Sequence, residues 1–194
     1  MEDQLHNEGT AFSVDVTKRQ QDFYTMLQNI VSICKSKYNE QAIPVERGIC
    51  QFDLYILAEL CKKFNIHKVT ELGCGTTTVW LRQNGITVDA YSIGLPGNLL
   101  NQQIDYIQAD VMAPENLPRI LKSAQESGLI LIDCFHSYKM AEYYTKNILM
   151  KVNNKILFIH DWFNRPNNLY SEQMYLWNSD ELFYKYEHSF ITDL

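Results

Sequence analysis

The chain has 194 residues, 46% of them hydrophobic, and a formal net charge of −6, which suits one well-packed domain and leaves little for a second. The acidic balance argues against a nucleic-acid phosphate backbone as main partner, because such binding rests on clustered Lys and Arg. No apolar run reaches the length of a bilayer span, and the start Met1-Glu2-Asp3-Gln4 has no signal-peptide core behind it, so a soluble, cytosolic protein with a small-molecule substrate and no membrane partner is expected.

Residues 1–15 are polar and aperiodic, and are expected to be mobile. Residues 16–65 read as a helical preface. From Thr17 to Tyr38 the apolar residues Phe23, Met26, Leu27, Ile30, Val31 and Cys34 follow the spacing of one helix face. After a loop with Pro44 and Gly48, a second helix carries Leu54, Leu57, Ala58, Cys61 and Phe64 on one face and ends near Asn65.

Residues 66–163 alternate between strand and helix. Strands are predicted over 68–72, 88–93, 104–109, 129–132 and 156–159, and helices over 76–83, 114–126 and 138–151. The strands are short continuous apolar runs, as in a parallel sheet covered on both faces, so the fold class is α/β, a doubly wound Rossmann-like sheet. Residues 164–194 are expected to add a helix over 168–177 and terminal antiparallel strands over 181–188 and 190–194. The five cysteines, Cys34, Cys50, Cys61, Cys74 and Cys134, are odd in number and form no CxxC pair, which reads as reduced thiols.

The most informative segment is Lys68-Val-Thr-Glu-Leu-Gly-Cys-Gly-Thr-Thr-Thr78, a strand running through Glu71 into Gly73, Cys74 and Gly75 and then into a helix. Two glycines permit a sharp turn and close approach to a ligand, and the helix start presents free N–H groups. The turn departs from the dinucleotide fingerprint, since Gly73-Cys74-Gly75 is followed by three threonines. In a doubly wound sheet, ligands lie beyond the carboxyl ends of the strands. The remaining chemistry-bearing residues fall at such ends: Asp110 after the third strand, Asp133 and His136 after the fourth, and His160 and Asp161 after the fifth.

The turn resembles motif I of class I S-adenosylmethionine (SAM) methyltransferases. Together with Ile132-Asp133-Cys-Phe-His136-Ser-Tyr138 and Ile159-His160-Asp161-Trp162 it is similar, over residues 50–163, to small O-methyltransferases of the catechol and macrolide-sugar types. The resemblance implies SAM as cofactor, with Glu71, Gly73, Cys74 and Gly75 around its methionine part and Asp110 at the adenine amino group. In the family an acid after the second strand grips the ribose hydroxyls, whereas this chain reads Tyr91-Ser92-Ile93-Gly94. Asp89 points elsewhere in that register, so either Ser92 or a backbone group substitutes, or SAM is bound weakly, or methyl transfer has been lost.

Asp133, His136, His160 and Asp161 form a second constellation. Asp133, His160 and Asp161 are candidate ligands for Mg²⁺ or Mn²⁺, and Asp133, His136 and His160 are candidate catalytic groups, with a histidine taking the acceptor proton. Phe135 stands where relatives have a second acid. The competing structural reading makes Asp133 a helix cap, His160 a core histidine and Asp161 a turn residue. The expected function is SAM-dependent O-methylation of a small hydroxylated molecule. The alternative is a non-catalytic member of the fold that lost its ribose acid at Gly94 and acts as a binding module.

Overall fold

The structure, a computed structural model, describes residues 51–95, 104–134 and 137–160, together with positions 25, 29 and 32. Thr25, Asn29 and Ser32 are helical and exposed, and their spacing matches the polar side of the helix expected over 17–38. The rest of that helix and everything expected beyond residue 160 lie outside the described residues.

Helix α1 (Gln51–Lys63) leads into β1 (Lys68–Leu72), α2 (Thr76–Gln83), β2 (Thr87–Ser92), β3 (Ile107–Gln108), α3 (Leu117–Glu126), β4 (Leu129–Ile132), α4 (Tyr138–Asn147) and β5 (Ile156–Ile159). Short 3₁₀ turns precede α3 at Pro114–Asn116 and follow α4 at Leu149–Lys151. All strand pairs are parallel, in the order β3-β2-β1-β4-β5. This is the doubly wound arrangement, with its topological switch between β1 and β4.

Strand alternation sends successive side chains to opposite faces. Val69, Val88, Ala90, Leu129 and Leu131 pack in one cluster with Leu57 and Cys61 of α1 and Leu81 of α2. Leu72, Tyr91, Ile130 and Ile132 pack in the other with Ile120 and Ala124 of α3 and Met140, Ala141 and Tyr144 of α4. Both faces of the sheet are therefore covered, which explains why the strands read as unbroken apolar runs. Where polar residues interrupt them, they are paired. Thr70 lies 2.7 Å from the hydroxyls of both Ser123 and Ser127, and Asp89 accepts from Ser123 at 2.7 Å and meets Lys68 Nζ at 2.9 Å. Burial alone would raise the Asp89 pKa, but the Ser123 and Lys68 hydrogen bonds hold it below its ordinary value.

Helix ends explain how the chain turns back to the sheet. Asn65 and Gly85 both have left-handed φ, 53° and 78°. Ile66 N–H donates to Cys61 O and Asn65 N–H to Lys62 O, and the same pair of bonds joins Ile86 to Leu81 and Gly85 to Arg82, the Schellman ending of a helix.

Several expected bounds need correction. The second strand stops at Ser92, and Ile93 is 75% exposed beyond it. The third strand is two residues long rather than six, because only Ile107 and Gln108 find partners, at Tyr91 and Ser92. The helix expected from 114 opens as a 3₁₀ turn, and the one expected to 151 yields to a 3₁₀ turn after Asn147. Phe64, expected on the apolar face, is 43% exposed because α1 has already ended. Among the described residues, no helix is long and apolar enough to cross a membrane.

Candidate active site

The register of the sheet aligns the strand ends. Leu72 pairs with Tyr91 and with Ile132, and Ile132 pairs with Ile159. The backbone bonds continue one residue further: Gly73 N–H donates to Tyr91 O, Asp133 N–H to Leu72 O, His160 N–H to Ile132 O and Ala109 N–H to Ser92 O. Gly73, Asp133 and His160 consequently stand along one carboxyl edge, at and beside the switch point.

The two glycines of the turn have different causes. Gly73 has φ +123°, and an added Cβ would lie 2.3 Å from the Asp133 backbone oxygen. It was expected to admit a ligand. Its Cβ direction is filled instead by the chain just beyond β4, so Gly73 is required by the fold. At Gly75 no described atom lies within 4 Å of an added Cβ, and the backbone is extended. Among the described residues nothing crowds Gly75, as at a ligand-facing glycine. Cys74 turns its side chain into the core cluster beside Leu57, Val69 and Leu81, so only its backbone is left for the turn. Burial pushes its thiol pKa up, more than the adjacent Thr78 hydroxyl lowers it.

Glu71 shares the β1 face of Val69 and meets α2. It is 1% exposed. Its Oε2 accepts from the Thr78 hydroxyl at 2.6 Å, and the same hydroxyl accepts from Gly75 N–H at 3.0 Å. Oε1 finds no hydrogen-bond partner. Burial drives the Glu71 pKa up to about 8, the Thr78 bond opposes this, the charge of Asp133 adds to it, and Arg82 on α2 opposes it. A buried carboxyl with one unused oxygen calls for a donor, and a cationic one would favour the ionised form.

His160 Nδ1 lies 3.1 Å from Asp133 Oδ1. The imidazole is buried and the carboxylate partly exposed. Nδ1–H donated to a carboxylate places the basic lone pair on Nε2, the arrangement in which a histidine accepts a proton. The cap of α4 belongs to Ser137, whose hydroxyl accepts from Met140 N–H at 3.2 Å, so Asp133 is not that cap. Asp133 and His160 are bonded to one another, and no group of three His, Cys, Asp or Glu side chains among the described residues is placed to hold a metal ion. His136 and Asp161 lie outside the described residues.

The remaining expected residues are engaged locally. Ser92 Oγ donates to Gly94 O at 2.7 Å and accepts from Gly94 N–H at 3.3 Å, closing the loop after β2. Asp110 is exposed and accepts from Met112 N–H at 2.8 Å, an Asx turn after β3. Thr78 escaped the sequence reading, although its place seven residues after the strand acid and three after Gly75 was visible. A cavity of about 460 Å³ between α1 and α2, lined by Tyr55, His67, Trp80 and Asn84 among others, opens at the amino ends of the strands. Ligand sites of doubly wound sheets lie at the opposite edge, and neither Glu71 nor Asp133 lines this cavity.

No protein-family model matches the sequence, and no curated protein matches it either. Among solved structures, the chain is similar to the MycE methyltransferase of the mycinamycin biosynthetic pathway, determined in complex with Mg and SAH, at 14% identity and a TM-score of 0.44. The match covers 70% of this chain and 38% of that one, so this chain spans well under half the length of that structure.

Proposed function

We propose that the protein is a SAM-dependent methyltransferase that O-methylates a small hydroxylated molecule in the cytosol. The observation that carries this reading is the turn at the switch point, where fully buried Glu71 keeps one oxygen without a partner next to the open face of Gly75. A ligand with an ammonium group and a flat or narrow portion against the Gly75 backbone suits both features, as the amino-acid end of SAM would. SAM, when bound, supplies an electrophilic methyl group.

Glu71 would hold the ammonium, the Cys74 and Gly75 backbone would line the chain of the cofactor, and Asp110, beyond β3, would reach the adenine. His160, oriented by Asp133, would take the proton of the acceptor hydroxyl, which is the one chemical demand that in-line transfer makes beyond alignment and exclusion of water. The Asp133–His160 contact orients this base without calling on a cation. Titration calorimetry with SAM and with its demethylated product SAH tests the reading: heat of binding, lost in Gly75→Val with an unchanged melting temperature, is expected.

One observation favours a second reading, a non-catalytic binding module. At the end of β2 the Ser92 hydroxyl is consumed by Gly94, and no carboxylate from β2 reaches that edge, since Asp89 faces α3. Absence of any binding at millimolar SAM or SAH would select it.

A further inference from the structure

Thr78 belongs to the first turn of α2 and is fully buried. Its hydroxyl joins the two halves of the turn, accepting from Gly75 N–H at 3.0 Å and lying 2.6 Å from Glu71 Oε2. A hydroxyl has a single proton to give. With the Gly75 N–H directed at its lone pair, that proton goes to Oε2, and Oε1 is the carboxyl oxygen left over.

We propose that Thr78 is a positioning residue for ligand binding, holding the Glu71 carboxyl with Oε2 engaged so that Oε1 is offered to an N–H donor of the ligand. This rests on the cofactor reading above and deepens it. The contact does two things. It fixes which oxygen is available, because a Glu71 side chain released from Thr78 is free to turn either oxygen toward Gly75 N–H. It also stabilises the ionised carboxyl against burial, the largest influence raising its pKa, and against the charge of Asp133 just beyond β4, in the same direction as Arg82 on α2. Cys74 is the other titratable group at this point and stays a neutral thiol, raised by burial. Burial pushes the Glu71 pKa up to about 8, so near neutral pH and without ligand the carboxyl holds a proton on Oε1. A ligand ammonium at Oε1 requires the carboxylate, so its binding releases that proton to solvent.

The test is calorimetric titration of SAH between pH 6.5 and 9 into wild type, Thr78→Val, which keeps the shape without the hydroxyl, and Thr78→Ser, which keeps the hydroxyl. The amine of SAH titrates alike in all three, so differences between them isolate the protein. Thr78→Val is expected to bind about tenfold more weakly at pH 6.5 and to converge on wild type toward pH 9, while Thr78→Ser follows wild type. Wild-type titrations in phosphate and Tris at pH 7 are expected to differ by the ionisation heat of up to one released proton, a readout that stands even if Thr78→Val fails to fold. A Thr78→Val profile parallel to wild type at every pH, or no proton release in wild type, overturns the proposal and leaves the cofactor reading intact. Wild type that binds no SAH at all overturns both.

Discussion

The backbone oxygen of Asp133 occupies the place where a side chain on Gly73 would begin, 2.3 Å from an ideal Cβ. The candidate catalytic carboxylate is thereby tied to the Gly73–Gly75 turn through main-chain packing as well as through the Asp133 N–H to Leu72 O bond. Any side chain at 73 must part β1 from β4 at the edge where both present their functional residues.

The two glycines should therefore respond differently. Gly73→Ala combines a left-handed φ with a backbone collision, and is expected to cost about 3 kcal/mol or more of stability. Gly75→Val is expected to leave the melting temperature near wild type and to remove SAH binding. Denaturant melts and calorimetry on both variants check this, and equal stability losses at the two positions would contradict it.

Glu71→Gln separates stability from binding. The folded chain keeps the Glu71 proton up to about pH 8, while the unfolded chain gives it up near 4.5. Wild-type stability from this group is thus complete below about 4.5 and is lost as pH rises through 8. Glu71→Gln removes the titration, so its advantage should be absent at pH 4.5 and reach on the order of 5 kcal/mol by pH 9, with loss of SAH affinity. Urea melts at three pH values measure the first effect.

Gly94 offers a gain-of-binding test. No described atom lies within 4 Å of a Cβ built there, so an acid is sterically admitted next to the Ser92 loop. Gly94→Asp or Gly94→Glu is expected to tighten SAH binding about tenfold, the scale of one charge-assisted hydrogen bond to a ribose hydroxyl. Unchanged affinity in a folded variant would place the ribose elsewhere.

The Asp133–His160 pair should affect chemistry more than binding. Asp133→Ala and His160→Gln are expected to lower turnover about 10²-fold or more, as loss of a general base does, with SAH affinity changed less than about threefold, a contrast that kinetics and calorimetry read side by side. Chelator is expected to leave wild-type turnover intact. A strong loss in chelator that Mg²⁺ or Mn²⁺ reverses would bring Asp161 and a cation back into the mechanism, and full activity in both variants would remove the pair from it.

Much of this architecture was legible before any coordinates. Five short apolar runs, three of their four gaps filled by helical periods, point to a parallel sheet with both faces covered, and in such a sheet the strands all end at one edge. That is why Gly73, Asp110, Asp133 and His160 were placed at or just after strand ends from their positions alone. Composition and period are local properties, and they suffice for this much. Contacts across the sheet are not local. Whether Gly73 makes room for a ligand or for the Asp133 backbone depends on the β1–β4 distance, and the spacing of residues in the chain does not encode it. The length of β3 depended on where the chain comes alongside β2, which among the described residues happens only at Tyr91 and Ser92. Thr78 became visible only once α2 was folded back against Glu71, since a single hydroxyl proton, engaged by geometry, leaves one carboxyl oxygen of a buried acid without a partner.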